Sequence, residues 1–320
     1  MLKDLLEIKV KRVGSSPYFP THFIADEKNT LENIPRVKML KCDQDESEIA
    51  QASIIISNTH FKFTPEKLSL FKNCHLIIHS NSGYDNFDFD FVKNFSGDIL
   101  LGNQIRSHAV ASYILSAFFQ HFSGIPNQKN WDKERKYPRK PFEQLKVQLI
   151  GFGTIGKLVA KSLQAFNIQL KIVDPYLNLS EQHLEAIDAV ILCCGYNSSN
   201  HHMINHNFLK NLSPDALIIN PARGELINTV DLINFLEVNP KAFAFLDVFE
   251  TEPNDFLNFQ HLKNINTTSH IAGVFAGIEN ATIEFEKQII QDFLHLNANE
   301  FKMKHAATLL KNKIIGNEII

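Results

Sequence analysis

Short apolar runs, each followed by an amphipathic or polar stretch, recur along most of this chain. Early examples are residues 53–57 and 75–79, β-branched runs of strand length. Residues 64–71, between them, open like a helix, with Thr64 as a cap ahead of Pro65 at the first helical position. That alternation predicts a parallel α/β layer. From about 107 to 122 the residues are apolar on most faces of a helical projection, which predicts a long buried helix. Residues 124–141 are polar and basic with prolines near both ends. They read as an arm or connector that carries the only tryptophan, Trp131.

The cadence sharpens between residues 145 and 271. Strand-like runs at 147–150, 169–173, 189–192, 216–219 and 242–246 are separated by helix-length or loop-length segments. This is the pattern of a doubly wound sheet. A last long helical pattern spans about 275–296, and a charged tail ends the chain. At 320 residues the chain is too long for one ordinary core, so the expected architecture is α/β with two domains.

Composition excludes classes without naming one. Apolar residues make up 44% and charged residues 21%, an ordinary globular balance. The net charge is −3 with no dominant basic block, so neither nucleic acid nor an anionic membrane is expected as a partner. No window approaches the roughly 18 uncharged apolar residues of a membrane span. The first residues carry charges inside a short apolar stretch and are not expected to be a secretory signal. Cys42, Cys74, Cys193 and Cys194 show no C-x-x-C spacing, which points to a reducing, cytoplasmic compartment. Cys193 and Cys194 close the apolar run that begins at Ala189 and read as part of a buried strand.

The strand at 147–150 runs into Gly151-Phe-Gly153-Thr154-Ile155-Gly156, and a helix-like run follows from Lys157. A G-x-G-x-x-G pattern alone is weak. Here a strand precedes it, a helix follows, and a second strand ends in Asp174 about 18 positions beyond the last glycine. Gly151 permits a tight turn, Gly153 lets a pyrophosphate approach the backbone, and Gly156 lets the helix pack on the strand. The helix start, at Thr154 and Ile155, offers free N–H groups and the positive end of a dipole. Asp174 can accept from ribose hydroxyls and would repel a 2′-phosphate, and no arginine follows it in Asp174-Pro-Tyr-Leu. The expected cofactor is NAD, in preference to NADP.

Three further segments carry candidate chemistry. Residues 217–225 deliver Arg223 at a strand's carboxyl end, where ligands bind in a doubly wound sheet. Residues 245–253 place Asp247, Glu250 and Glu252 at another, and 266–273 carry His270 in a loop before the last helix. The glycine fingerprint, N-x-x-R-G, D-V-F-E-x-E-P and S-H-I-x-G, in this order, resemble the D-isomer-specific 2-hydroxyacid dehydrogenase family. Its members include phosphoglycerate, D-lactate and glycerate dehydrogenases, and the resemblance spans roughly residues 77–296.

The resemblance implies two Rossmann-like domains with doubly wound parallel sheets. A cofactor domain over 104–288 would be inserted into a discontinuous substrate domain of 1–103 plus 289–320, with the active site in the cleft. It implies hydride transfer between NAD and C2 of a small D-2-hydroxy or 2-oxo acid. By that likeness Arg223 clamps the substrate carboxylate and polarises its carbonyl oxygen. His270 gives or takes the proton, and Glu252, bonded to it, keeps it basic. Asp247 matches the residue that holds the nicotinamide carboxamide, and Ala222 belongs to the cofactor site. Residues 81–86 resemble the substrate loop, whose backbone N–H groups around Ser82 and Gly83 bind the carboxylate. The same stretch could be a plain turn closed by Asp85 and Asn86. A homodimer is expected.

Several positions depart from the family. The helix usually reading V-A-E-H is Val110-Ala-Ser112-Tyr113, the strand usually ending H-x-P ends Cys193-Cys194-Gly195, and Ser269 precedes the histidine. Glu250 stands close to Glu252 and competes for the histidine. The loop at 58–62 lacks the arginines of phosphoglycerate-type relatives, so a smaller or less charged substrate is expected. Arg106 either reads a second anionic group or is an ordinary solvated arginine. His202 and His206 form an i, i+4 pair beside His201 without a third ligand, so no metal is expected. The rival class is an NAD(H)-sensing binding protein on the same fold.

Overall fold

The computed structural model describes every residue except 1–5, 15–19, 21, 42–45, 138, 180–185, 317 and 320. Cys42 and the start of the N-terminal stretch therefore lie outside the described residues. The chain divides into two compact units, Met1–Arg106 with Phe275–Ile320, and Ser107–Val274.

The first unit runs β1 (Ile8–Val13), α1 (Phe23–Glu32), β2 (Val37–Met39), the short α2 (Glu46–Ile49), β3 (Ile54–Ser57), β4 (Leu76–His79), α3 (Phe89–Asn94) and β5 (Asp98–Leu101). The five strands form one sheet in the order β2-β1-β3-β4-β5, with every pair parallel. A parallel sheet is covered on both faces, which is why β3, β4 and β5 carry unbroken apolar runs. Ile54, Ile56, Leu76 and Ile78 face one cluster, and Ile55, Ile77, Ile99 and Leu101 face a second that is rich in phenylalanine. The segment at 65–71 is a 3₁₀ helix, and the Thr64 side chain does not cap it. That hydroxyl bonds Glu66 and holds its carboxyl below the ordinary value.

Helix α4 (Asn103–Ser123) follows, and the division between units falls in its first turns. The second unit then runs β6 (Lys146–Ile150), α5 (Thr154–Gln164), β7 (Gln169–Val173), β8 (Ile187–Leu192), α6 (His206–Leu209), β9 (Leu212–Asn220), α7 (Thr229–Val238), β10 (Phe243–Leu246) and β11 (Ile265–Thr267). Its six strands are parallel in the order β11-β10-β9-β8-β6-β7. Ala111, Ile114, Ala117 and Phe118 of α4 pack with Val159 and Leu163 of α5 on one face. Leu232 and Leu236 of α7 pack on the other. In such an order the connections after β6 and β8 diverge, and the crevice between those two strand ends is where ligands bind.

Helices α8 (Ile278–His295) and α9 (Ala298–Lys304) and the hairpin of β12 (Ile314–Ile315) and β13 (Glu318–Ile319) belong to the first unit. Phe285, Ile289, Ile290 and Leu294 of α8 fill the cluster under β1, β3 and β4, so the whole helix goes with that sheet. A boundary at 288 would cut it in two. One expectation is corrected at β8. The strand ends at Leu192, so Cys193 and Cys194 lie just beyond it, half-buried, with the Cys193 N–H donating to the Ile150 carbonyl at 2.7 Å. Burial pushes the Cys194 thiol up to about 12. Among the described residues no helix is long and apolar enough to cross a membrane.

Candidate active site

The glycine fingerprint is the whole connection from β6 to α5. Gly151 has φ +96°, and a Cβ there would lie 2.6 Å from the Cys194 nitrogen, so the turn and the neighbouring strand end both require glycine. At Gly153 an added Cβ would meet nothing within 4 Å. The protein's own packing does not ask for glycine at that position, and the open space over it suits a ligand. Gly153 caps α5 without a side-chain bond, and the first helical bond runs from Lys157 N to Gly153 O at 3.0 Å. The N–H groups of Thr154, Ile155 and Gly156 are thereby left for an anion. Asp174, at the end of β7, accepts from the Phe152 N–H at 2.8 Å and the Tyr176 N–H at 3.2 Å, beside the same turn. These residues fit a dinucleotide.

Arg223 follows β9 in a turn built by its own motif. Asn220 accepts from the Ala222 N–H at 3.0 Å and donates to the Arg223 carbonyl at 2.8 Å. A Cβ on Gly224 would lie 1.9 Å from the backbone of Phe249, so glycine lets the segment after β10 come close. The Phe249 N–H then donates to Glu252 Oε1 at 3.0 Å, and Glu252 Oε2 pairs with His270 Nδ1 at 2.8 Å. Burial works against ionisation of Glu252. The bond and charge of His270, the Phe249 N–H and the charge of Arg223 outweigh it, and hold the carboxyl below its ordinary value. Glu250 is engaged elsewhere, with His202 and with the Thr229 hydroxyl. Of the two competing glutamates, only Glu252 meets His270.

Asp247 organises the loop that carries the histidine. It is fully buried, and its carboxylate accepts from the Thr268 hydroxyl at 2.6 Å, the Ile271 N–H at 2.7 Å and the Ala272 N–H at 2.8 Å. Its carbonyl accepts from the His270 N–H at 2.8 Å, and His270 takes a left-handed φ of 55°. The Tyr113 hydroxyl joins the same network at Thr268, 2.9 Å away. In the sequence Tyr113 stands out only as a departure from V-A-E-H, and Asn220 only as a motif letter. Neither shows its partner without the fold. His201 stacks on His202 at 3.8 Å, and no group of three metal-binding side chains occurs among the described residues.

Arg223, Asp247, Glu252 and His270 thus share the second unit with the glycine turn. Ser82 and Gly83 lie in the first unit, in the loop that follows β4. Among the described residues nothing accepts from the N–H groups of Asn81, Ser82 or Gly83. Successive unpartnered amides make an anion-binding concavity. Arg106 is not simply solvated. Its Nη1 donates to the Ser80 carbonyl at 2.8 Å, and burial, only partly offset by the charge of Glu286, lowers its pKa.

Known proteins share this fold and its dinucleotide-binding domain. Residues 115–272 match the family model described as D-isomer specific 2-hydroxyacid dehydrogenase, NAD binding domain. A glyoxylate/hydroxypyruvate reductase of Arabidopsis thaliana is 25% identical over 70% of this chain and 74% of its own length. A D-lactate dehydrogenase of Staphylococcus epidermidis is 25% identical over 61% of this chain and 68% of its own. Among solved structures, Aquifex aeolicus D-lactate dehydrogenase, complexed with NAD and lactic acid, superposes with a TM-score of 0.71 at 19% identity. That match covers 94% of this chain and 98% of that one. The chain belongs to the D-isomer-specific 2-hydroxyacid dehydrogenase family, an oxidoreductase family with a nicotinamide-dinucleotide-binding domain.

Proposed function

We propose that the chain is a cytosolic, homodimeric, NAD-dependent oxidoreductase. It moves a hydride between nicotinamide and C2 of a small D-2-hydroxy acid or its 2-oxo counterpart. The observation that carries this reading is the Glu252–His270 pair at 2.8 Å, in the unit that also holds Arg223 and the open glycine turn. A bound nicotinamide dinucleotide would supply or accept the hydride. The N–H groups of Thr154, Ile155 and Gly156 would hold its pyrophosphate and Asp174 its ribose hydroxyls, with Ala222 and Asp247 completing the site.

Glu252 occupies Nδ1 of His270, so Nε2 is the nitrogen that trades the proton. In reduction it protonates the C2 oxygen, and in oxidation it takes the hydroxyl proton. The planar guanidinium of Arg223 binds the carboxylate and stabilises that oxygen, a two-pronged task that lysine performs poorly. The N–H groups at Ser82 and Gly83 hold the carboxylate in the first unit. The charge of Asp174 favours NAD over NADP.

The substrate is read as small and unphosphorylated. One nitrogen of Arg106 is committed to Ser80, and Asn58 in the 58–62 loop is committed to the Gly14 carbonyl at 2.6 Å. Steady-state kinetics with glyoxylate, hydroxypyruvate, pyruvate and 3-phosphohydroxypyruvate, each with NADH and NADPH, test this. Expected are a higher kcat/KM with NADH and with the unphosphorylated acids. A wide lead for the phosphorylated acid, or for NADPH, overturns the corresponding part. NADH binding with no turnover of any acid makes the chain an NAD(H)-sensing binding protein instead.

A further inference from the structure

Two amide donors of the 81–83 loop, those of Asn81 and Ser82, are oriented by bonds made on the other side of the same peptides. A trans peptide is planar, with its C=O and the following N–H pointing in opposite directions. The Asn81 carbonyl accepts from the Gly102 N–H at 3.1 Å, which sends the Ser82 N–H the other way. The Ser80 carbonyl accepts from Arg106 at 2.8 Å, which does the same for Asn81. The Gly83 carbonyl accepts from His79 Nε2 at 2.8 Å, which fixes the next peptide, where the loop ends.

His79 is the most specialised of these holders. It ends β4, is fully buried, and packs edge-on against Phe87 with centroids 5.0 Å apart. A carbonyl oxygen only accepts, so Nε2 must carry the hydrogen. In the neutral ring Nδ1 then accepts from the Ser57 hydroxyl, 3.0 Å away. Both ring nitrogens are engaged, and the proton chemistry described for Glu252 and His270 does not use this imidazole.

We propose that His79, with Ser57 behind it, is a positioning residue for the substrate carboxylate. It pins the Gly83–Tyr84 peptide, which closes the loop, so that the N–H groups before it keep their alignment on an anion. The inference rests on reading 81–83 as the carboxylate loop. Without the pin the end of the loop loses an anchor, and the loss falls on anion binding while NADH binding is spared.

The test uses oxamate, an unreactive carboxylate analogue of a 2-oxo acid, titrated into the NADH-loaded full chain. His79→Met, similar in volume but without a donor, weakens oxamate roughly tenfold and leaves the NADH Kd within about twofold. His79→Gln, whose side-chain amide can reach the same carbonyl, recovers most of that loss. A merely structural role would move both ligands and would not separate glutamine from methionine. Equal oxamate affinity in wild type and His79→Met overturns the proposal. Gly83→Pro, which deletes a loop N–H, tests the underlying reading separately. If it leaves oxamate binding intact, the loop is not the carboxylate site; if it weakens oxamate while His79→Met does not, only the role of His79 falls. Should His79→Met fail to fold, Ser57→Ala removes a single hydroxyl. A loss of about threefold in oxamate affinity then supports the proposal, and unchanged affinity overturns it.

Discussion

The two sheets share a strand order and put it to different uses. In the second unit the crevice between the ends of β6 and β8 is lined by glycine and left open over Gly153. In the first unit the corresponding crevice, between β1 and β3, is crossed by Asn58, which donates to the Gly14 carbonyl. The charges divide in the same way. Glu252 and His270 have side chains 35% and 53% exposed, whereas Arg12, Glu27 and Glu286 are buried to within 2% of completely.

Two carboxyls therefore move in opposite directions. Burial opposes ionisation of both. At Glu252 the bonds and charges of its partners win, and the carboxyl is held low. At Glu286 burial wins over Arg12, the nearby Glu27 adds repulsion, and the carboxyl is pushed well above its ordinary value. Solvent access decides the outcome. A half-exposed pair can trade protons, while a buried cluster holds a fold together. Topology provides equivalent places, and the side chains decide which of them does chemistry.

The largest effect expected from this division is on turnover. His270→Ala should lower kcat by about 10²–10⁴-fold, the usual worth of a general acid–base. NADH affinity and the unfolding midpoint should hardly change, because the side chain is half-exposed and, among the described residues, pairs only with Glu252. A large loss of stability without a loss of rate would invert the comparison.

The first unit should answer in stability. Arg12 donates to Glu27 at 2.8 Å and 2.5 Å and to Glu286 at 2.6 Å. Arg12→Met leaves Glu27 buried with its counter-charge removed and Glu286 without its donor, which costs about 3–5 kcal/mol. Urea unfolding at neutral pH measures it. A cost below about 1 kcal/mol would show that solvent or rearrangement compensates the acids.

The same contrast explains what can be read without the fold. The second unit announces itself because its function sits in contiguous motifs, and its strand runs at 189–192 and 216–219 are wholly apolar. In the first unit, β1 reads Ile-Lys-Val-Lys-Arg-Val, which looks like a solvated edge. Lys11 and Arg12 are nevertheless fully buried, because Glu48 meets one and Glu27 and Glu286 the other. Glu286 lies 274 positions from Arg12, and no local pattern signals that pairing. His79 is legible only as a strand residue, since its partners Ser57 and Gly83 come from other segments. Between Glu250 and Glu252 the resemblance names the second, and the fold gives the physical reason, since His202 claims the first and His270 the second.

The smallest effect, and the sharpest test of that choice, is on the pH profile. His270 helps hold the Glu252 carboxyl below its ordinary value. Glu252→Gln keeps the side chain's size but removes the negative charge that faces His270 Nδ1 at 2.8 Å and balances a proton held on the ring. Reduction of a 2-oxo acid needs protonated His270, and its falling limb should move to lower pH. Oxidation needs the neutral ring, and its rising limb should move the same way. A pair this exposed is screened by water, so the displacement is expected to be small. The contribution of Glu252 to stability is present above the ordinary carboxylate value and is lost as pH falls below it, again by a small amount. The measurement is kcat/KM against pH in both directions for wild type, Glu252→Gln and Glu250→Gln. Glu250→Gln should leave the limbs in place, because that carboxylate is bonded to His202 and Thr229. If Glu250→Gln moves them and Glu252→Gln does not, the two glutamates have exchanged roles, and the half-exposed pair is not the one that tunes the proton.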